Sequence, residues 1–457
     1  MGFVLRGYQE NSVNSMCDFF KDPKPQNEVG ISPTGSGKSI LISETAKRLQ
    51  EEMIVMAPKK ELVRQNFHKY FKYGFRNADV FCAGLGRKKK GMVTFGTVQS
   101  MVNAIPLFKG IKNVVIDECH GVSPDDQTMY QKFLTGVGAE KVFGLSAAPI
   151  RNYRNMNGVS YRVITNTKEK FFKKIRFCVP VQHLVENEWW SPLKYMQYEF
   201  DASKLRRNST GRDFTPQSVA LAININNTND LILHHLRKAD PDKSILIYGA
   251  SAKIAEEMSE KVRSSAFIGS KTEKNKREDL LDAWLNGKIK RMFNFGVFKE
   301  GLDFPGLDGI MLGRPYGSLG EYLQACGRVV RITESMKTKV IADYCGNVQR
   351  FGEIEEIDFK EVAYDRRKGT KWELFRGNVL LTGINAEDIG SKLYFDGKII
   401  KNPRWRNNGR EVTHMPFGQH YGEPVHQVPD SYLKHISGLP NCDHFVFVEL
   451  RRRGLIK

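Results

Sequence analysis

The sequence predicts an α/β protein: two tandem parallel-sheet domains followed by a small basic C-terminal region. Three observations predict it. At 457 residues, the chain exceeds what one hydrophobic core usually serves, so two or three domains are expected. Short β-branched runs alternate with amphipathic stretches through residues 28–150, and the rhythm resumes near residue 244. Each run ends in polar or glycine-containing residues and precedes a helical pattern, as parallel strands joined by helical crossovers do.

The first domain, residues 1–152, takes its expected strands from "EVGIS", "MIVMAP", "VTFG", "NVVID" and "KVFGLS". The second, 153–352, is approached through residues 151–243, which hold a basic aromatic stretch, "EKFFKKIRF", and a polar one, "RRNSTGRDFTPQ"; the first half of that region reads as linker and its end leads into the domain. Its strands follow at "SILIYGAS", "KRMFNFG", "DGIMLG" and "TKVIAD". After about residue 353 the α/β rhythm stops, and 353–457 reads as a separate basic accessory region.

Composition narrows the partners. Lys and Arg total 70 against 51 Asp and Glu, a formal charge of +19. Such an excess favours a polyanion through counterion release, or serves solubility. No apolar run of about 18 residues suggests a membrane span. The start, MGFVLRGYQE, has no charged segment followed by an apolar one and does not read as a secretory leader. Seven cysteines without a CxxC pair fit a reducing compartment, the cytoplasm, and argue against a zinc finger.

The chemistry lies in two stretches. "SPTGSGKS" (32–39) joins an expected strand to an expected helix. Glycines there let backbone N–H groups approach phosphate, and the helix N-terminus favours negative charge. Thr34, Gly35, Ser36 and Gly37 would line the loop, Lys38 would reach the β- and γ-phosphates of ATP, and Ser39 would ligate Mg²⁺. The strict GxxxxGK[ST] pattern fails at its first position, where Ser32 replaces glycine. "NVVIDECHG" (113–121) puts two carboxylates at a strand end. On a neighbouring parallel strand, Asp117 would hold Mg²⁺ through water, and Glu118 would polarise the water that attacks the γ-phosphate.

With these motifs the sequence resembles the superfamily 2 DExH/DEAD-type helicases over roughly residues 5–350. The resemblance implies two RecA-like domains. It also implies that "LRGYQ" reads adenine through Gln9 and Arg6. "APKKELVRQ" and "GTVQSM" look like the motifs that grip a nucleic-acid backbone, which puts Lys59, Lys60, Thr97 and Gln99 on the strand. "LSAAP" looks like the motif coupling hydrolysis to movement, with Ala148 where the family has threonine. "FNFGVFKEGLDFPGLD" is similar to the motif touching nucleotide and strand, through Gly301 and Asp303. "QACGRVVR" resembles the arginine-finger motif, with Gln324, Arg328 and Arg331 as its functional side chains. Two arginines spaced i, i+3 would share one helical face, and a second domain could swing them onto the γ-phosphate.

Between the strand-gripping motifs, "GRKKKG" offers Arg87 and Lys88 for phosphate contact, or is a solvated loop. "KIIKNPRWRNNGR" (398–410) fits two readings: Arg404, Trp405 and Arg406 as a stacking and phosphate surface, or a hairpin turning at "NNG". "MPFGQHYGEPVHQVPDSYL" (415–433) resembles a small module at the C-termini of some bacterial exonucleases and implies accessory DNA binding. The ending at 343–352 and this tail are similar to phage-encoded repair helicases. The expected activity is ATP-dependent unwinding of single-stranded, forked or branched DNA, with branch migration. An RNA helicase, the motor subunit of a restriction or nuclease complex, and a non-catalytic nucleic-acid binder are the rival readings.

Overall fold

The computed structural model describes residues 4–125, 127–155, 158–167, 169–211, 213–298, 304, 306–332, 338–363, 369–383, 427–437, 450 and 452–455. Two mainly parallel sheets dominate, one in each RecA-like domain. In spatial order the first runs Lys174–Cys178, Gln26–Ile31, Lys141–Ser146, Asn113–Asp117, Met53–Met56, Val93–Gly96, Ala78–Cys82 and Arg87–Lys88. Only the last pairing is antiparallel. The central strands are buried along their whole length because helices cover both faces, which is why "MIVM" and the "VVI" of "NVVID" are continuous apolar runs.

The second sheet runs Leu193–Gln197, Lys339–Asp343, Gly309–Leu312, Ile245–Tyr248, Arg291–Phe295 and Ser265–Gly269, parallel throughout. Its crossover helices carry clear start signals. Thr215 caps Pro216–Ile225, and Ser251 caps Ala252–Glu260 by accepting from the Ile254 N–H at 3.2 Å.

Two expectations are corrected here. The first sheet does not end at residue 152, since the segment read as linker supplies its edge strand at Lys174–Cys178. Asp117 is not on the strand next to the phosphate-loop strand, because Lys141–Ser146 pairs with both and lies between them. Parallel pairing still brings all three C-terminal ends to one edge, where open α/β sheets bind ligands.

Beyond the second sheet, Ile357–Ala363, Thr370–Arg376 and Val379–Leu380 form an antiparallel sheet. It docks on the hairpin of Ile150–Asn155 and Gly158–Val163. Asn166 donates to the Trp372 carbonyl at 2.7 Å, and the Gly383 N–H donates to the Tyr161 carbonyl at 2.9 Å.

Candidate nucleotide site and interdomain cleft

The phosphate loop is shaped by glycine. Gly35 and Gly37 have φ of +84° and +95°, a region that side-chain-bearing residues rarely adopt. The Ser36 hydroxyl donates to the Pro33 carbonyl at 2.6 Å and lies 2.6 Å from the Ser32 hydroxyl. Ser32 thus holds the turn where the strict pattern has glycine. The helix Lys38–Leu49 starts immediately after, so its free N–H groups face the loop. From the first helix, Gly7–Lys21, Gln9 donates to the Ser36 carbonyl at 3.1 Å and accepts from the Arg6 N–H at 3.0 Å. Tyr8, which sequence reasoning missed, donates to the same Ser36 carbonyl at 2.6 Å.

Lys38 pairs directly with Glu118. Burial works against the Lys38 ammonium, yet the Glu118 and Asp117 carboxylates outweigh it and leave its pKa raised. Burial likewise pushes Glu118 up, but the Lys38 charge and a contact with His120 hold its carboxyl well below the usual range. Asp117 moves the other way: burial raises it, with Lys38 opposing and Glu118 adding to the rise. Glu118 sits at φ +50°, an unusual conformation for a non-glycine residue that turns its side chain from the strand end back toward Lys38. His120 Nδ1 is 3.1 Å from the Ser146 hydroxyl, which also accepts from the Ala148 N–H at 3.2 Å. The Ser146 hydroxyl therefore links the two motifs, with no second hydroxyl at residue 148.

Asn66 was also missed. It is 1% exposed, accepts from the Ser39 hydroxyl at 2.5 Å, and donates to Asp117 Oδ2 at 2.9 Å. One amide thus gathers the two oxygen groups expected to hold a magnesium ion. Hard oxygen donors suit that ion, so the residues present fit it.

The second domain closes on this site through residues 327–331. A side chain on Gly327 would collide with Thr34 of the phosphate loop. Gln324 is buried, Arg328 acts electrostatically on Lys38, and Arg331 acts on Lys69 of the helix Lys60–Lys72. The shared helical face expected for the two arginines is overturned. The helix ends at Cys326, because backbone groups of Val330 and Arg331 leave it to bond with Ser191. Gly301 and Asp303 lie outside the described residues, as do Arg404, Trp405 and Arg406.

The expected strand-gripping residues are spread over the first domain. Lys59 caps the helix Lys60–Lys72, and the Lys60 side chain lies 3.1 Å from where a Cβ on Gly84 would stand. Across the cleft Lys60 faces Lys274, Arg277 and Phe298 around a cavity of about 80 Å³. Two ion pairs span it: Arg64–Glu278 at 3.4 Å and Arg277–Glu61 at 3.8 Å. Gln99 is exposed, whereas Thr97 is buried, its hydroxyl donating to Ser100 at 3.0 Å. Arg87 is held by Asp79 at 2.6 Å on the exposed edge strand that also carries Lys88.

Comparison with known proteins agrees with this architecture. The family "Type III restriction enzyme, res subunit" matches residues 2–151, and "Helicase conserved C-terminal domain" matches 226–333. The chain carries the paired motor domains of a superfamily 2 helicase. The motor chain is 21% identical over 376 residues to IRC3 of Saccharomyces cerevisiae, which bears a provisional ATP-dependent helicase name; the match covers 75% of this chain and 52% of that protein. It is 27% identical over 328 residues to a 51.5 kDa protein of a Lactococcus phage, covering 70% of this chain and 66% of the relative. The DNA 3'-5' translocase XPB2 of Sulfurisphaera tokodaii matches at 20% over 379 residues, 74% of this chain and 83% of that one. The motor chain therefore spans about half to two thirds of the length of the first two relatives. Among solved structures, a type I restriction HsdR fragment from Vibrio vulnificus shares the fold at TM-score 0.58 and 15% identity, over 77% of this chain and 66% of that one. No helix among the described residues is long and apolar enough to cross a membrane.

Proposed function

We propose that this motor hydrolyses ATP to move along and unwind DNA, with forked or branched DNA as its working substrate and branch migration as one outcome. The observation that carries the reading is the Lys38–Glu118 pair beside Asp117, closed by Arg328 from the second domain. A γ-phosphate competes with Glu118 for the Lys38 ammonium. The carboxylate so released loses the Lys38 charge that held its pKa down, so burial raises its proton affinity and makes it a better base, with His120 still beside it. It can then orient and deprotonate the attacking water. Arg328 supplies positive charge to the phosphoryl oxygens as the cleft closes. Ser39 and Asp117 would hold magnesium, which when bound neutralises charge on the β- and γ-phosphates. Gln9, which meets the loop at Ser36, and Arg6, whose N–H bonds the Gln9 side chain, would read adenine.

The charge of +19 favours a nucleic acid of either kind, and likeness to a DNA translocase and to the restriction family favours DNA over RNA. The cation-lined groove around Lys60, Lys274 and Arg277 offers phosphate contacts in both domains, so closure would change their spacing along a strand. The restriction-family match supports a second reading, the motor subunit of a nuclease complex. Co-purification with a nuclease would favour it. The test of the main reading is ATP hydrolysis measured alone and with single-stranded DNA, forked DNA, a four-way junction and RNA. The largest stimulation should come from fork or junction; stimulation by RNA alone would overturn the choice of DNA.

A further inference from the structure

Three consecutive residues of the connector between the domains each touch a different part of the cleft. The Trp189 ring lies 4.8 Å from Tyr8, with the Arg6 guanidinium 5.3 Å over it, at the adenine-reading motif. Trp190 is 4% exposed, and its indole Nε1 lies 3.6 Å from where a Cβ on Gly35 would stand. Val330 meets the same position at 2.9 Å. Ser191 donates from its backbone N–H to the Val330 carbonyl at 2.8 Å and from its hydroxyl to the Arg331 carbonyl at 3.0 Å. The Trp189 and Trp190 N–H groups both donate to the Leu184 carbonyl, at 2.8 and 3.1 Å, which ties the connector to the helix Val181–Glu186.

The buried Trp190 indole N–H makes no hydrogen bond among the described residues. A buried donor without an acceptor is destabilising, so its retention calls for another state in which it is satisfied. It faces the loop at Gly35, whose peptide carbonyls are potential acceptors. We propose that Trp190 is a positioning residue: its N–H bonds a phosphate-loop carbonyl when nucleotide is held, and Ser191 transmits that state to the finger segment 328–331. The inference rests on the ATP-site reading above. It supplies a route between hydrolysis and the second domain that needs no hydroxyl at residue 148.

The test is hydrogen–deuterium exchange over 327–331, with and without ADP and magnesium, in the full chain and in Trp190→Phe. Binding of a fluorescent ADP analogue is followed separately. Phenylalanine keeps an aromatic ring against Gly35 and Val330 while removing the N–H. ADP should slow exchange in the unsubstituted chain by roughly tenfold, a middling coupling between sites, and by less than about twofold in Trp190→Phe with ADP bound. Ser191→Ala keeps the backbone bond to Val330, loses the bond to Arg331, and should also reduce the protection; it stands in if Trp190→Phe does not fold. Equal protection in all three proteins would overturn the inference. So would ADP binding to the unsubstituted chain with no change at 327–331, a result that leaves the ATP site standing. Failure of that chain to bind ADP would remove the ATP-site reading, and the inference with it.

Discussion

Asn66 shows how much of a nucleotide site is carried by a residue with no chemistry of its own. Its amide accepts from Ser39 and donates to Asp117, so both oxygens are aimed before any ion arrives. Outer partners of metal ligands typically contribute ~10–100-fold to metal affinity. Asn66→Leu should therefore raise the magnesium concentration needed for half-maximal ADP binding by about that factor, while ADP binding in EDTA stays near its unsubstituted value. Equal losses in both conditions would mean that Asn66 only packs the loop. Nothing in the sequence marked this residue. It is one polar position on an amphipathic helix, and its burial depends on where a distant strand ends. That Lys38, Asp117 and Glu118 meet was legible because loop, strand and helix signals converge on them. Tyr8 was not, since it sits beside Gln9 in a motif whose glutamine drew the attention.

At the scale of elements, what was legible follows burial. "VVI" of the strand Asn113–Asp117 and "ILIY" are covered on both faces and read as unbroken apolar runs. The edge strands Lys174–Cys178 and Leu193–Gln197 are partly exposed, mix Lys and Arg into the run, and were absorbed into a presumed linker. The finger segment was misjudged for a related reason: the spacing of Arg328 and Arg331 permits a helix, but bonds from Ser191, far away in sequence, take the chain out of it. Gly327 matters at this scale. Its φ of −63° suits any residue, so only the approach to Thr34 demands glycine. Gly327→Ala should leave each domain folded yet hold the cleft open. We expect a fall of about 1.4–2.8 kcal/mol in transition-state stabilisation, read as roughly ten- to a hundredfold lower ATP turnover with little change in ADP affinity. Turnover within twofold of the unsubstituted chain would show that the domains hydrolyse ATP without this approach.

For the whole molecule, the question is whether the charge of +19 is organised. The groove lined by Lys60, Lys274 and Arg277 is bridged by the Arg64–Glu278 and Arg277–Glu61 pairs. The exposed Arg64–Glu278 pair contributes ~0–1 kcal/mol and is screened by salt, so a strand's phosphates could displace it readily. Lys60→Ala should weaken single-stranded DNA binding for all sequences alike and reduce the slope of log affinity against log salt by about 1. An unchanged slope would remove Lys60 from the strand path.

Under the proposed mechanism, Glu118-dependent ATP hydrolysis drives movement on DNA. Its most direct test is strand displacement from a forked DNA with ATP and magnesium, comparing the full chain with Glu118→Gln at matched DNA occupancy. The full chain should release the strand, whereas Glu118→Gln should bind ATP and fork but displace ~10²–10⁴-fold more slowly, the usual scale for losing a general base. Displacement by Glu118→Gln at the full chain's rate would show that movement does not depend on Glu118.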